Sequence, residues 1–173
     1  MELTVPILQI VGYQNSGKTT LLTKIIKELS QAGIRVGTIK HHGHGGAPDA
    51  FDADKDTAKH RHAGATVSAV EGEGMLQIEA FNADGWTLND MVAFYRQLPI
   101  DIILIEGFKR EYFPKVVLLR LEEDYILLEQ LENIKAMIYW DKPCKGEIGI
   151  PAFHINDEKD YLTWIKTYFE RKI

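Results

Sequence analysis

The stretch Ile7-Leu8-Gln9-Ile10-Val11-Gly12-Tyr13-Gln14-Asn15-Ser16-Gly17-Lys18-Thr19 decides the fold of this chain. Its first part, Ile7 to Val11, is short and rich in β-branched residues and ends at Gly12, the pattern of a buried strand. Its second part matches G-x-x-x-x-G-K-[ST], a motif that carries meaning only between a strand and a helix. The helix follows: Lys18 to Ala32 puts Leu21, Leu22, Ile25, Ile26 and Leu29 on one face, and Gly33 supplies the stop. Val36 to Ile39 reads as a second strand. Strand, helix, strand implies a βαβ crossover and a parallel sheet. The motif's spacing has a chemical reason. Its glycines let successive N–H groups point inward around phosphate oxygens, and the helix beginning near Lys18 adds its positive end. Lys18 is then placed for the β- and γ-phosphates and Thr19 for Mg²⁺.

Further along, Ile102 to Ile105 is four consecutive large aliphatics, so this strand is expected to be central and buried on both faces. It ends in Glu106-Gly107. An acid at the carboxyl end of such a strand sits where open α/β sheets bind ligands, and this one is Walker B-like with Glu in place of Asp. Thr66–Val70 and Met75–Phe81 read as strands around a turn at Glu71–Gly74, with an alternation that suggests an antiparallel strand at the sheet edge. Thr87 and Asp90 resemble a capping box opening a helix from Leu88 to Leu98. Val116–Leu121, Ala136–Tyr139 and Ala152–His154 are further strands. Asp157 opens a last helix with the apolar stripe Tyr161, Trp164, Ile165, Tyr168 and Phe169, read as ordinary core. The expectation is one nucleotide-binding α/β domain over residues 1–173. It is a P-loop NTPase-like three-layer fold with a mostly parallel sheet and an antiparallel edge strand.

At 173 residues, 45% apolar and 26% charged, the composition suits one globular domain. Twenty basic against twenty-five acidic residues gives −5, which argues against a protein that coats a nucleic acid polymer but not against a local anion site. The single cysteine, Cys144, excludes an intrachain disulfide and a four-cysteine zinc site and fits a reducing compartment. The N-terminus lacks a basic flank, and no apolar run approaches the ~20 residues of a membrane span, so a cytoplasmic protein without membrane contact is expected.

Five of the six histidines (His41, His42, His44, His60, His62) fall in one short stretch, beside Lys40, Asp49, Asp52, Asp54, Asp56, Lys59 and Arg61. The stretch begins after the second strand, on the same sheet edge as the glycine-rich motif. Its acids could complete Mg²⁺ coordination while Lys40 and the histidines bind anions. The imidazoles could instead bind a transition metal, although no thiol is near and the run lacks a defined ligand spacing. A solvated loop is the third reading. Base recognition is poorly marked: there is no Asn-Lys-x-Asp signature, and Asp141 stands either where such a carboxylate would sit or simply in a turn before Pro143.

Four pieces in order resemble the MobB family, the molybdopterin-guanine dinucleotide biosynthesis adaptor proteins. They are Gly12-Tyr-Gln-Asn-Ser-Gly-Lys-Thr-Thr20, Gly37-Thr-Ile-Lys-His-His42, Asp56-Thr-Ala-Lys-His-Arg-His-Ala-Gly-Ala65 and Ile105-Glu-Gly-Phe-Lys109, and the resemblance covers most of the chain. It implies a GTP-binding P-loop protein of the dethiobiotin-synthetase-like class, dimeric as a rule, serving the molybdenum cofactor guanylyltransferase, with at most slow GTP hydrolysis. The phosphate residues it implies are Gln14, Asn15, Ser16, Gly17, Lys18, Thr19 and Thr20, with Glu106 as the Walker B acid. Gly12, Lys40, His41 and Asp141 complete the expected nucleotide site. Thr19, Glu106 and Asp56 are the candidates for Mg²⁺, and Glu106 for any catalysis. In the family pattern a histidine-rich run is followed closely by an acid. Here Gly43 interrupts the run and Gly45-Gly46-Ala47-Pro48 lengthens the loop, which leaves the roles of His44 and Asp49 to Asp54 open. Two rival readings stand beside it: a GTP-dependent metallochaperone using His41, His42 and His44, and a small-molecule P-loop kinase with Lys59, Arg61, Lys109 and Arg110 as lid cations.

Overall fold

Strand β1 (Ile7–Val11) is buried along its whole length, because it packs apolar side chains to both sides of a sheet. The computed structural model describes residues 5–43, 46, 56–141 and 149–172. The chain divides into two compact units, residues 1–41 with 88–173, and residues 42–87.

In the larger unit β1 is joined by β2 (Val36–Lys40), β5 (Ile102–Glu106), β6 (Lys115–Leu119), β7 (Ile134–Tyr139) and β8 (Ala152–His154). The strand order is β2-β5-β1-β6-β7-β8, and every pairing is parallel. Leu8, Ile10, Ile102, Leu104, Val116 and Leu118 face one way. Helices α1 (Lys18–Gln31) and α5 (Glu158–Glu170) cover them with Leu21, Ile25, Leu29, Tyr161, Ile165 and Phe169. On the other face Ile7, Ile39, Ile103 and Ile105 pack against Leu88 and Val92 of α3 (Leu88–Tyr95). Val11, Val117 and Met137 pack against Leu127 of the short α4 (Leu127–Gln130). Helices on both faces of a parallel sheet make the three expected layers. α3 comes close to β2 at a glycine: a Cβ on Gly37 would lie 3.0 Å from the Tyr95 ring, whose hydroxyl donates to the Thr38 carbonyl at 2.6 Å.

The smaller unit holds α2 (Asp56–His62), β3 (Val67–Gly72) and β4 (Met75–Ala80). β3 and β4 are antiparallel as expected, but they pair with each other in a separate two-stranded sheet rather than at the edge of the main one. The connection is Glu73-Gly74, with φ of 52° and 83°; two consecutive positive φ values match the right-handed twist of a tight hairpin. Arg61 ties α2 to the hairpin, donating to Ser68 Oγ at 2.7 Å and pairing with Glu79 at 3.1 Å.

Three boundaries differ from the sequence reading for visible reasons. β6 starts one residue early, at Lys115, a residue only 1% exposed. Its ammonium donates to the carbonyls of Glu111 and Glu132 at 2.7 and 2.9 Å, and burial lowers its pKa. β6 also stops at Leu119, because the Asp124 carboxylate takes the N–H groups of Arg120 and Leu121 at 2.7 and 3.0 Å, withdrawing them from strand pairing. A 3-10 turn at Glu122–Ile126 follows. α3 ends at Tyr95 and not Leu98: Gln97 and Leu98 bond three residues back, in the tighter turn that precedes Pro99.

Candidate functional site

The parallel register sets the site. Glu106, at the carboxyl end of β5, lies opposite Ile10 of β1 on one side and Lys40 of β2 on the other. β1 then runs straight into the loop Gly12–Gly17, and α1 starts at Lys18. The glycine-rich loop, the strand-end acid and the strand-end lysine therefore share one edge of the sheet.

Inside that edge the contacts are specific. The Thr19 hydroxyl donates to Glu106 Oε1 at 2.9 Å, and Lys40 Nζ lies 3.3 Å from the same oxygen. Glu106 is 6% exposed, so its charge is held largely out of water between a hydroxyl and an ammonium. Lys18 Nζ donates to the Tyr13 carbonyl at 2.6 Å. Partial burial lowers the Lys18 pKa; Glu106 opposes the shift, and the positive charges of Lys109 and Lys40 add to it. Lys18 thus lies within electrostatic reach of two further ammonium groups and one carboxylate. Such an arrangement favours an incoming anion, which would relieve the mutual repulsion of the lysines.

The loop backbone has a geometry that would suit the same kind of ligand. Asn15 has φ 61° and Gly17 φ 95°, both left-handed, and alternating hands of this kind turn successive N–H groups toward a common centre. Gly12 has no room for a side chain: a Cβ there would sit 2.8 Å from the Leu118 carbonyl oxygen. Ser16 is 1% exposed, and its hydroxyl has no hydrogen-bond partner among the described residues.

Of the expected site residues, the larger unit brings together Gly12, Gln14, Asn15, Ser16, Gly17, Lys18, Thr19 and Thr20 with Glu106 and Lys40. His41 follows Lys40 directly. Its N–H donates to the Glu106 carbonyl at 3.0 Å and its ring lies 4.7 Å from that of Phe108. Asp141 is exposed just beyond β7, on the same edge. Asp56 belongs to the smaller unit, where its carboxylate pairs with Lys59 at 2.8 Å. His44, Asp49, Asp52, Asp54 and Cys144 lie outside the described residues. Among the described residues no three His, Cys, Asp or Glu side chains group as metal ligands.

Three contributors, Gln9, Arg120 and Trp140, carry no motif and have no counterpart in the sequence reading, and Lys109, read from the sequence as a candidate lid cation, joins them. Gln9, fully buried in β1, donates through Nε2 to the carbonyls of Gly107 and Phe108 at 3.2 and 2.9 Å, fixing the turn that follows Glu106. Lys109 lies 4.4 Å over the Tyr13 ring. Arg120, just past β6, donates to the Asn15 carbonyl at 2.6 Å. Trp140, just past β7, donates to the Ser16 carbonyl at 3.1 Å. A polar residue inside the apolar run of β1 was the one available signal for Gln9. For Arg120 and Trp140 it was only their place at strand ends on the ligand edge.

Comparison with known proteins gives a consistent picture. The sequence model of one family, described as molybdopterin guanine dinucleotide synthesis protein B (MobB), matches residues 7–140. A probable molybdopterin-guanine dinucleotide biosynthesis adapter protein of Bacillus subtilis is 46% identical over 153 residues, 88% of this chain and 87% of that one. The adapter protein of Haemophilus influenzae is 35% identical over 137 residues, 79% of this chain and 76% of that one. Among solved structures, the crystal structure of Bacillus subtilis MobB superposes with a TM-score of 0.79 at 42% identity, covering 94% of this chain and 96% of that one. A MobB homolog from Bacillus stearothermophilus superposes at 0.77 with 38% identity, covering 95% and 98%.

Proposed function

This chain belongs to the MobB family, and from that membership we propose that it is an adapter protein of molybdopterin guanine dinucleotide biosynthesis that binds GTP with Mg²⁺. The observation that carries the nucleotide part is the Thr19–Glu106–Lys40 contact at the mouth of the Gly12–Gly17 loop. The residues fit a magnesium ion: a hydroxyl and a carboxylate stand side by side, and hard oxygen donors of this kind suit Mg²⁺. Thr19 and Glu106 would hold the ion, which supplies charge neutralisation at the phosphates. Lys18 binds the β- and γ-phosphates in exchange for its bond to the Tyr13 carbonyl. The loop amides take the remaining phosphate oxygens, and the unpartnered Ser16 hydroxyl is a further donor close by.

Hydrolysis is slow at most in this reading. Rapid P-loop hydrolases present an arginine to the transferred phosphoryl group and a glutamine to the attacking water. Here Arg120 and Gln9 are both bound to backbone carbonyls. The protein acts in the cytoplasm, delivering or retaining guanine nucleotide for the guanylyltransferase that joins it to molybdopterin. It works as a homodimer; the exposed apolar side chains of the β3–β4 hairpin support that part. No helix among the described residues is long and apolar enough to cross a membrane.

Competition between GTP and ATP, with and without Mg²⁺, tests the proposal. GTP is expected to bind the more tightly and to need Mg²⁺ for full affinity. Equal affinity for the two nucleotides would overturn the guanine-specific reading.

A further inference from the structure

Arg120 and Trp140 touch the phosphate loop from behind, on the carbonyl side. In a loop that gathers its N–H groups inward, the carbonyls must turn outward, and each needs a donor there. The Asn15 carbonyl has the Arg120 guanidinium at 2.6 Å, and the Ser16 carbonyl has the Trp140 indole N–H at 3.1 Å. Asn15 is held in the left-handed region at φ 61°, a conformation uncommon for non-glycine residues and best tolerated by asparagine. Gly17 follows at φ 95°, and the Trp140 ring closes over it: a Cβ at Gly17 would lie 3.3 Å from that ring.

The two donors support one another and are themselves anchored. The Arg120 guanidinium lies 5.4 Å over the Trp140 ring. The Arg120 N–H is held by Asp124, and the Trp140 carbonyl lies 2.6 Å from His154 Nε2 of β8. Strands β6, β7 and β8 are thereby connected to the loop through side chains that no part of the motif contains.

We infer that Arg120 and Trp140 are positioning residues that preorganise the Gly12–Gly17 loop for the phosphate chain, by fixing the Asn15 and Ser16 carbonyls outward. This rests on the nucleotide reading above and deepens it. Preorganised donors bind a ligand without a further ordering cost, so loss of either anchor lowers phosphate affinity although neither residue touches phosphate. The role is distinct from base recognition, which an exposed tryptophan beside a nucleotide site could also serve by stacking.

Inorganic tripolyphosphate separates the two roles, because it has phosphates and no base. Affinities for GTP and for tripolyphosphate, both with Mg²⁺, are measured for the full chain, for Trp140→Phe, which keeps a ring but removes the N–H, and for Arg120→Gln. Melting temperatures are recorded alongside. The expected result is that each variant weakens both ligands by the same factor, about three- to tenfold, as for loss of one hydrogen bond that orders the site. Weakening of GTP with tripolyphosphate unchanged would overturn the inference in favour of base stacking. A lowered melting temperature with both affinities within twofold of the parent would overturn it in favour of a purely structural role. If Trp140→Phe does not fold, Arg120→Gln alone decides between these outcomes. A parent protein that binds neither ligand overturns the nucleotide reading and this inference together, whereas a parent that binds both while its variants are unaffected overturns this inference only.

Discussion

Glu106 receives the Thr19 hydroxyl and the Lys40 ammonium on one oxygen. Its carboxylate serves two opposed interests. In the proposed site it would, with a divalent cation present, help hold the charge that phosphates need; without one it would be a negative charge beside bound anions. Glu106→Gln is therefore expected to abolish most of the Mg²⁺ dependence of GTP affinity. It should leave metal-free affinity equal or higher, and a titration series in Mg²⁺ at fixed nucleotide reads both effects. An unchanged Mg²⁺ dependence would place the ion elsewhere. Tyr168 offers a residue-scale prediction about stability. Its ring stacks on Trp164 at 5.5 Å, but its buried hydroxyl has no partner among the described residues. Removing an unsatisfied buried hydroxyl relieves a desolvation cost, so Tyr168→Phe should be neutral or stabilising by up to about 1 kcal/mol in chemical denaturation. A loss of that size would reveal a partner.

At the scale of elements, β2 and β5 are clamped at their start as well as at the site. Asp101 accepts the Arg35 N–H at 2.7 Å and is gripped by the guanidinium through Oδ2 at 3.0 Å and Oδ1 at 2.7 Å. Those bonds hold the Asp101 carboxyl down at about 2. A depressed carboxylate pKa adds stability that is complete above the unfolded value, near 3.8, and is lost as pH falls toward about 2. The margin by which the parent exceeds Asp101→Asn in stability should hold above about pH 4 and vanish between there and pH 2. Because the pair is partly exposed, the margin should also shrink with added salt. A margin that persists at pH 2 would contradict this origin.

Elements also show what was legible in the sequence and why. The Gly12–Gly17 loop and its flanking strand and helix could be read because the motif is contiguous and its flanks carry local patterns. Glu106 could be read because four aliphatics in a row mark a central strand. Gln9, Arg120 and Trp140 could not, because each acts on a backbone carbonyl about a hundred residues distant. Lys115 is not legible as a buried strand residue because lysine is almost never fully buried, and only the two carbonyls that receive its ammonium make its burial tolerable. The hairpin was recognised but misplaced. Period-two alternation identifies a strand without saying which strand it joins.

For the whole molecule, the net charge of −5 says little about the proposed phosphate binding, which would work through oriented amides, Lys18 and the Lys40–Glu106 pair. Global composition is equally silent on the β3–β4 hairpin, where Val67, Met75, Leu76 and Phe81 are all more than half exposed. An apolar two-stranded sheet whose outer edges pair with nothing among the described residues favours association with a second copy. Sedimentation velocity should find the parent dimeric and the double variant Met75→Glu/Phe81→Glu monomeric, with GTP affinity retained. A dimer that survives both substitutions would move the interface away from the hairpin.

In the proposed function Lys18 and the Gly12–Gly17 loop bind the phosphates of a guanine nucleotide, and calorimetric titration of GTP in Mg²⁺ into the parent protein and into Lys18→Ala is the decisive measurement. Saturable binding by the parent and none by a folded Lys18→Ala is the expected result; micromolar binding retained by Lys18→Ala would contradict it.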